Sequence, residues 1–336
     1  MDPTAALERI VYLLDRSRAP SYRVRAFLGA KAAVAALAPD ELTDRIADGT
    51  LEELPGIGPV TRRVIEEAAT GEIPSYVRHL EGETEIRITD AGHHVRRSLR
   101  GDCHVHSNWS DGGAEIEAMA RAAMGIGHDY IVLTDHSPRL TIAHGLDRPR
   151  LLAQLEELDR LNDELAPFRI LSGMEVDILL DGGLDLDEDL LGRLDVVVAS
   201  VHSKLRMGHD EMTARMVRAM ANPHTDILGH CTGRIVVGRG RPQSTFDADA
   251  VFEVCADNGK AVEINCRPER QDPPDDLLDL ALDAGCMVAI DTDAHAPGQL
   301  EWQAYGCDKA ALHGIATERI VNTKDAAGLV AWAAAR

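Results

Sequence analysis

The segments GDCHVHSNWSDG at residues 101–112 and AIDTDAH at residues 289–295 decide the fold of this chain. Each opens as a short strand-like run and carries two metal-binding side chains two positions apart, His104 with His106 and Asp293 with His295. Residues two apart in a strand point to the same side, so each pair is able to hold one ion. The two segments therefore predict strands that lead into a metal site.

Between these segments, β-branched runs alternate with amphipathic helices. The runs that predict strands are Asp102–Val105, Tyr130–Thr134, Arg169–Ser172, Val196–Ser200, Ile227–Gly229, Ala261–Ile264 and Met287–Ile290. The helices between them include Glu115–Met124 and Arg150–Leu165, the latter with leucines along one face. This alternation predicts an α/β fold with a parallel sheet, and seven units indicate a (β/α)7 barrel or near-barrel of the TIM type.

Polar side chains recur at the ends of these predicted strands. They are His104, His106, Asp135, His136, Glu175, His202, His230, Asn265, Arg267, Asp293 and His295. Active sites of such barrels lie where the loops after the strands converge. One such pair alone also fits core histidines or a helix-capping aspartate. Their recurrence favours a metal site, because burying so many ionisable groups without metal is expensive, and Glu175 suits a bridging position.

Charge divides the chain into two parts. The formal net charge of -21 argues against simple electrostatic binding to nucleic acid or to an anionic membrane. Residues 1–100 hold 14 basic and 16 acidic residues, whereas residues 101–336 hold 21 and 40. The polar stretch 81–100 is interpreted as a linker with a short strand at 84–88. We therefore expect a nearly neutral helical domain at 1–80 and an acidic barrel at 101–336.

The helical part contains the glycine-rich turn LPGIGP at residues 54–59. Glycines permit a tight turn, Pro59 suits the first position of a helix, and the free N–H groups of a helix start bind anions. The residues predicted to contact a DNA phosphate are Gly56, Ile57, Gly58, Arg62 and Arg63. The alternative is a helical corner in which the glycines serve only packing.

The wider N-terminal stretch resembles a known DNA-binding module. SYRVRAF at 21–27 and ELPGIGPVTRRVIEEAATGEIPSY at 53–76 resemble the N-terminal helix-hairpin-helix domain of family X DNA polymerases. That resemblance implies a domain that grips the DNA backbone without reading sequence.

The second part resembles the PHP (polymerase and histidinol phosphatase) domain, and more narrowly the PHP domain of bacterial family X DNA polymerases. Besides the two opening segments, the resemblance is carried by YIVLTDHS (130–137), SGMEVDI (172–178), VVASVHSK (197–204), NPHTDILGHCTGR (222–234) and AVEINCRPER (261–270). It implies a distorted seven-stranded barrel with three divalent metal ions, usually manganese, zinc or iron. The stretch 81–100 is too short for a polymerase palm, so we expect that domain to be absent there.

The resemblance also implies a ligand set. One ion would take His104, His106, Glu175 and Asp293, which are therefore the expected catalytic centre. A second ion would share Glu175 and add His202 and His230, and a third would take Asp111, His136 and His295. Cys231 stands where the family has proline, and is either an extra ligand or a packing residue.

Further residues are candidates for supporting roles. Arg234, Arg267, Arg270 and Lys204 follow ligand-bearing strands and would hold phosphoryl oxygens, the alternative being surface ion pairs. Asp135 is expected to orient the imidazole of His136. Trp109 would either stack on a terminal base or pack at the barrel mouth.

These observations predict a metal-dependent phosphoesterase that acts on DNA ends, as a 3′-5′ exonuclease or a 3′-end-processing repair enzyme. One alternative is a small-molecule phosphatase of the histidinol-phosphate type, and another is a non-catalytic DNA-binding protein. The sequence lacks a signal-peptide pattern and a long apolar span, which predicts a cytoplasmic protein. DNA is the expected partner, and the oligomeric state, a monomer included, stays open.

Overall fold

The computed structural model of the protein describes residues 1–335, apart from the side chain of Asp40, and forms two compact units. The first holds residues 1–86 together with 297–299, and the second holds the remainder. The division after Ile86 falls inside the stretch predicted as a linker. No helix in the described part of the chain is long and apolar enough to cross a membrane.

The first unit is helical. Its helices are α1 (Pro3–Arg16), α2 (Ser21–Ala35), α3 (Pro39–Asp48), α4 (Pro59–Ala69) and α5 (Ser75–Glu83), with a short 3-10 turn at Leu51–Glu53. Leu7, Ile10 and Leu14 are fully buried, as expected for the apolar face of an amphipathic helix. The short strand expected at 84–88 does not form, since these residues have no regular secondary structure.

The second unit contains the strands and the remaining helices. The strands are β1 (Gly101–Val105), β2 (Tyr130–Leu133), β3 (Arg169–Asp177), β4 (Val196–Ser200), β5 (Ile227–Leu228), β6 (Ala261–Asn265) and β7 (Met287–Asp291). The helices are α6 (Asp90–Ser98), α7 (Ile116–Gly125), α8 (Arg148–Leu165), α9 (Glu188–Leu191), α10 (His209–Met220), α11 (Ala248–Asp257), α12 (Asp275–Asp283), α13 (Gln303–Leu312) and α14 (Ala326–Ala334).

The strands of residues 1–335 form one parallel sheet in the order β1 to β7. Its first and last strands approach each other, because Val105 bridges Ala294 and the N–H of His106 donates to the carbonyl of Ala294 at 2.8 Å. The sheet is therefore a nearly closed barrel with helices around it, which confirms the predicted α/β TIM-like fold. All strands run in the same direction, so their C-terminal ends meet at one mouth.

Strand β3 is longer than the sequence predicts and changes partner along its length. Residues 169–172 pair with β2, and residues 173–177 pair with β4. Ser172 and Gly173 resemble a strand end in the sequence, yet the strand continues past them. Glu175 therefore lies within the strand and not in the loop that follows it.

Candidate metal centre

The nine side chains predicted as ligands come together at the mouth of the barrel. They are His104, His106, Asp111, His136, Glu175, His202, His230, Asp293 and His295. Eight of them are buried or mostly buried, whereas Asp111 has 35% of its side chain exposed. The parallel sheet explains this convergence, because it brings the ends of separate strands to one place.

Glu175 lies at the centre of the cluster. Its Oε1 is 2.8 Å from His230 Nε2 and 3.1 Å from His202 Nε2. Its Oε2 faces other imidazoles, at 2.9 Å from His136 Nδ1, 3.4 Å from His104 Nε2 and 3.6 Å from His106 Nε2. The two oxygens therefore face two different groups of histidines, as a carboxylate that bridges two ions requires.

The two aspartates complete the arrangement. Asp293 Oδ1 lies 3.4 Å from His106 Nε2, beside the Oε2 group of Glu175. Asp111 Oδ1 lies 3.4 Å from His136 Nε2 and 3.3 Å from His295 Nε2, in a third group that shares His136 with the Oε2 side of Glu175. Asp293 has a left-handed backbone with φ of 52°, a conformation that often marks functional positions.

The donor atoms fit metal ions. His106, Asp111, His136 and His295 offer ligand atoms within 4.8 Å of one another, as do two smaller groups that share Glu175. In the described part of the chain, the buried Nε2 atoms of His104 and His106 have no hydrogen-bond partner. Unpartnered buried polar atoms are costly, so a cation that accepts these lone pairs would remove the cost.

The pKa shifts of the buried side chains also favour bound cations. Burial raises the pKa of Glu175, but the surrounding histidines His202 and His104 outweigh it and hold that pKa well below the usual value. Burial lowers the pKa of His136, but Glu175 and Asp111 outweigh it and raise that pKa to about 10. The pKa shifts thus favour ionised carboxylates beside positively charged histidines. Bound divalent cations would supply this positive charge in place of the protons on the histidines.

Glu263 is a functional candidate that the sequence analysis missed. Its side chain in β6 is fully buried, with Oε1 2.6 Å from His104 Nδ1. Its Oε2 accepts the backbone N–H of His230 at 2.5 Å and the side-chain amide of Asn265 at 3.2 Å. Such a partner fixes the tautomer and orientation of a ligand imidazole. A carboxylate in the interior of the apolar run AVEIN was the available signal.

Asp135 has a different role from the one predicted. It does not hydrogen-bond to His136 in the described structure. Instead, it accepts the N–H and hydroxyl of Ser107, the hydroxyl of Ser110 and the amide of Gln154, at distances of 2.5–2.8 Å. The sequence spacing suggested the adjacent imidazole, but the carboxylate faces the loop after β1. It therefore positions the loop that carries Asp111.

Two of the four predicted phosphate-binding bases line the metal cleft. Arg267 and Arg270 belong to a cleft of about 370 Å³ that also includes ligand residues. Arg267 Nη1 lies 3.4 Å from Asp293 Oδ1, and Arg270 Nε lies 3.2 Å from Asp293 Oδ2. Arg234 instead donates to the carbonyls of Arg270 and Gln271, and Lys204 is exposed on the loop after β4.

Cys231 and Trp109 both take part in packing. Cys231 is 4% exposed, belongs to the apolar core and lies 3.7 Å from Asp272 Oδ1 through its Sγ. Burial raises the pKa of its thiol well above the usual value, which disfavours the thiolate that a metal needs. Trp109 packs against two apolar clusters of the barrel.

The predicted DNA-contact residues lie together at the start of α4. Gly56 is left-handed with φ of 89°, and Ile57 is 7% exposed. Arg62 pairs with Glu52 at 2.6 Å and with Glu66 at 2.9 Å. Arg63 similarly pairs with Glu67 at 2.7 Å. Both arginines therefore have carboxylate partners with which a phosphate would compete.

The chain is similar to several known proteins. The family model for the PHP domain matches residues 102–267. The DNA polymerase/3′-5′ exonuclease PolX of Bacillus subtilis (strain 168) is 38% identical over 257 residues, 75% of this chain and 44% of that protein. A probable phosphatase of Thermoanaerobacter sp. (strain X514) is 31% identical over 207 residues, 58% of this chain and 78% of that protein. This chain thus spans less than half of PolX but most of the phosphatase.

A solved structure shows a weaker likeness. The histidinol phosphate phosphatase of Lactococcus lactis subsp. lactis Il1403, solved with zinc, L-histidinol and phosphate, superposes with a TM-score of 0.45 at 17% identity. The match covers 64% of this chain and 93% of that one.

Proposed function

Because this chain belongs to the PHP-domain family, we propose that it hydrolyses phosphate esters at DNA ends, as a 3′-5′ exonuclease or a 3′-end-processing enzyme of DNA repair. That it is a metal-dependent phosphoesterase follows from the family. The DNA end is our proposal. It rests on one observation, the presence of a nine-residue donor cluster and a helical unit with the LPGIGP turn in the same chain.

The chain's own residues would divide the work at the cleft. His104, His106 and Asp293 would hold one ion on the Oε2 side of Glu175, and His202 and His230 a second ion on the Oε1 side. A third would lie among Asp111, His136 and His295. Such ions supply an activated water and stabilise charge on the phosphoryl and leaving oxygens. Imidazole-rich donors favour manganese, zinc or iron over magnesium.

Arg267 and Arg270 would hold the phosphoryl oxygens. Both guanidinium groups reach the rim of the cleft while they are oriented by Asp293. An arginine fixed in this way presents its remaining N–H groups to a phosphate without first losing side-chain freedom. The same contacts place positive charge where negative charge grows during hydrolysis.

The helical unit would bring DNA to the cleft. The first turn of α4, after Pro59, presents backbone N–H groups, and the glycines before it allow close approach of a phosphate. The N–H groups of Ile57 and Gly58 donate to the Leu54 carbonyl and to Thr61 Oγ1, and would exchange these bonds for the phosphate. Gly56, Ile57 and Gly58 are the proposed backbone contacts. Arg62 and Arg63 would give up some of their ion pairs with carboxylates and bind the phosphate instead.

The proposal is tested by assaying the wild type and His104→Ala, each with manganese, on a 3′-recessed DNA duplex. Both an undamaged and a 3′-phosphate end are used. The wild type should shorten or dephosphorylate the 3′ end, and His104→Ala should lose about 100-fold or more of the rate. The matched control is His94→Ala, an exposed histidine of α6. A wild type that binds manganese but leaves both DNA ends untouched refutes the proposal.

The second candidate is a small-molecule phosphatase. This chain covers 78% of the Thermoanaerobacter relative, which is named a probable phosphatase. That coverage favours the second candidate. This candidate predicts rapid hydrolysis of p-nitrophenyl phosphate and no need for the helical unit. A chain that begins at Arg87, where the second unit starts, separates the two. If it keeps the small-ester reaction and loses the DNA reaction, the helical unit delivers DNA. A non-catalytic protein is disfavoured because the full donor set is present.

A further inference from the structure

A short basic hairpin follows strand β5. Residues 233–241, GRIVVGRGR, contain three arginines and no acidic residue, and are called the β5 hairpin below. Its two sides are joined at Ile235 and Arg241, whose N–H and carbonyl groups pair at 2.8–2.9 Å. The turn uses Gly238 and Gly240, both with positive φ. The β5 hairpin is therefore a defined element of the barrel mouth.

The β5 hairpin borders the metal cleft directly. Ile235 is one of the residues that line the cleft. The N–H of Val236 donates to the carbonyl of Glu269 at 2.7 Å, and Arg234 Nε donates to the carbonyl of Arg270 at 3.0 Å. These bonds fasten the hairpin to the loop after β6, which carries the arginines of the cleft.

A second basic loop adjoins the β5 hairpin. Residues 201–208, called the β4 loop, contain Lys204 and Arg206 and no acidic residue. The carbonyl of Leu205 accepts the hydroxyl of Ser244 at 2.9 Å, and the Leu205 side chain lies so close to Gly233 that an added Cβ would be 2.7 Å away. The two loops therefore lie side by side, and together they are called the basic surface.

The cations of this surface have no carboxylate partner. The side chains of Lys204, Arg206 and Arg239 are exposed, and none of these three side chains has a hydrogen bond or ion pair within residues 1–335. By contrast, the exposed Arg148 pairs with Asp187 and Asp189. Burial and the charge of Arg270 lower the pKa of Arg241, which indicates that positive charge is crowded beside the cleft.

Acidic residues are concentrated in a different segment of the barrel. Residues 178–189, the loop after β3 and the start of α9, carry five acidic residues and no base. The barrel as a whole is strongly acidic, so a polyanion is repelled except where the basic surface faces it. Its easiest approach to the metal cleft is across the β4 loop and the β5 hairpin.

We propose that the β4 loop and the β5 hairpin bind the phosphodiester backbone of a nucleic-acid strand whose terminal phosphate ester enters the metal cleft. Arg206 and Arg239 each contact a phosphate of that strand. A small phosphomonoester has no phosphate outside the cleft for these cations to bind. The inference rests on the proposed function and specifies its substrate as a strand.

The test compares two double variants of the full chain. Arg206→Ala/Arg239→Ala removes two of these three cations. Arg169→Ala/Arg193→Ala removes the same charge from exposed positions at the start of β3 and just before β4, at the opposite end of the strands. Binding of a fluorescent single-stranded oligonucleotide with a non-cleavable 3′ phosphorothioate end is measured with manganese over a range of salt concentrations.

The first variant should bind about tenfold more weakly, and the slope of log Kd against log salt should fall by about 1.4, or 0.7 for each lost phosphate contact. The second variant should match the wild type, and Arg206→Lys/Arg239→Lys should restore the slope. Equal effects of the two alanine pairs, or a wild type that does not bind the oligonucleotide, overturn the inference.

Cleavage of the same oligonucleotide with an ordinary 3′ end separates this inference from the proposed function. Normal salt-dependent binding without cleavage by the wild type refutes the DNA-end activity and leaves the binding surface standing. Cleavage by the wild type with unchanged KM in Arg206→Ala/Arg239→Ala refutes the binding surface and leaves the activity standing.

Discussion

Two buried carboxylates organise this site, Glu175 among the histidines and Glu263 behind them. Glu175 divides its oxygens between two groups of histidines, while Glu263 lies behind them and holds His104 and the backbone of His230. Those two ligands would belong to different ions. One buried side chain would therefore hold ligands of two proposed metal positions.

Replacing Glu263 with Gln should weaken metal binding by about 10–100-fold, because the amide cannot accept hydrogen bonds at both ends. Isothermal titration of the metal-free protein with manganese measures the change. Glu253→Gln, at an exposed position of α11, is the matched control and should bind as the wild type does. An unchanged affinity in Glu263→Gln would show that His104 keeps its orientation without this partner.

At the scale of elements, the turn before α4 depends on the close approach of two backbones. A Cβ added at Gly56 would lie 3.2 Å from the carbonyl group of Gly29 in α2, and Gly56 has a positive φ of 89°. Gly58 is two residues away with open space around it. The turn thus contains one glycine required by geometry and one that is not.

Gly56→Ala should therefore lower the free energy of unfolding of the helical unit by about 1–3 kcal/mol, through backbone strain and crowding. Gly58→Ala should change it by less than about 1 kcal/mol. Urea unfolding followed by far-UV circular dichroism measures both. Equal stability of the two variants would contradict the strain argument.

Most strands could be predicted from the sequence, because β-branched runs alternate with amphipathic helices at regular spacing. Six of the seven predicted strands agree with the observed ones within one residue at each end. The end of β3 was missed because a change of strand partner at Gly173 leaves no local signal. Helix α6 was missed because its polar sequence DAGHHVRRS resembles a linker.

The family resemblance implied the set of nine candidate ligands, and eight of them also lie in or follow a recognisable strand, whereas Asp111 does not. The partners behind them could not be predicted, because their contacts are non-local. Glu263 meets His104 from a strand far along the chain, and Asp135 faces Ser107 instead of its neighbour His136. Only the folded barrel determines which of several nearby groups a carboxylate reaches.

At the scale of the whole molecule, the net charge of -21 becomes consistent with a nucleic-acid substrate. Most of the acidity belongs to residues 101–336, where part of it lies in the metal cluster. Divalent ions would offset that part. The remaining acidity would restrict DNA to the basic side of the mouth.

Removal of metal should destabilise the barrel. An ion that binds only the folded state at 100 times its Kd stabilises it by about 2.7 kcal/mol, or roughly 5–10 °C in Tm for a domain of this size. Differential scanning calorimetry before and after chelation measures this shift. His104→Ala should show a smaller shift than His94→Ala. An identical Tm with and without manganese would show that the cluster does not bind it.

The meeting of β1 with β7 has a consequence for biosynthesis. The first donors, His104 and His106, leave the ribosome long before Asp293 and His295, and the two ends of the barrel meet where Val105 bridges Ala294. A nascent barrel therefore carries an incomplete set of donors until its last strand emerges and docks on the first. Hydrolysis that needs the whole donor set would therefore begin only after this docking.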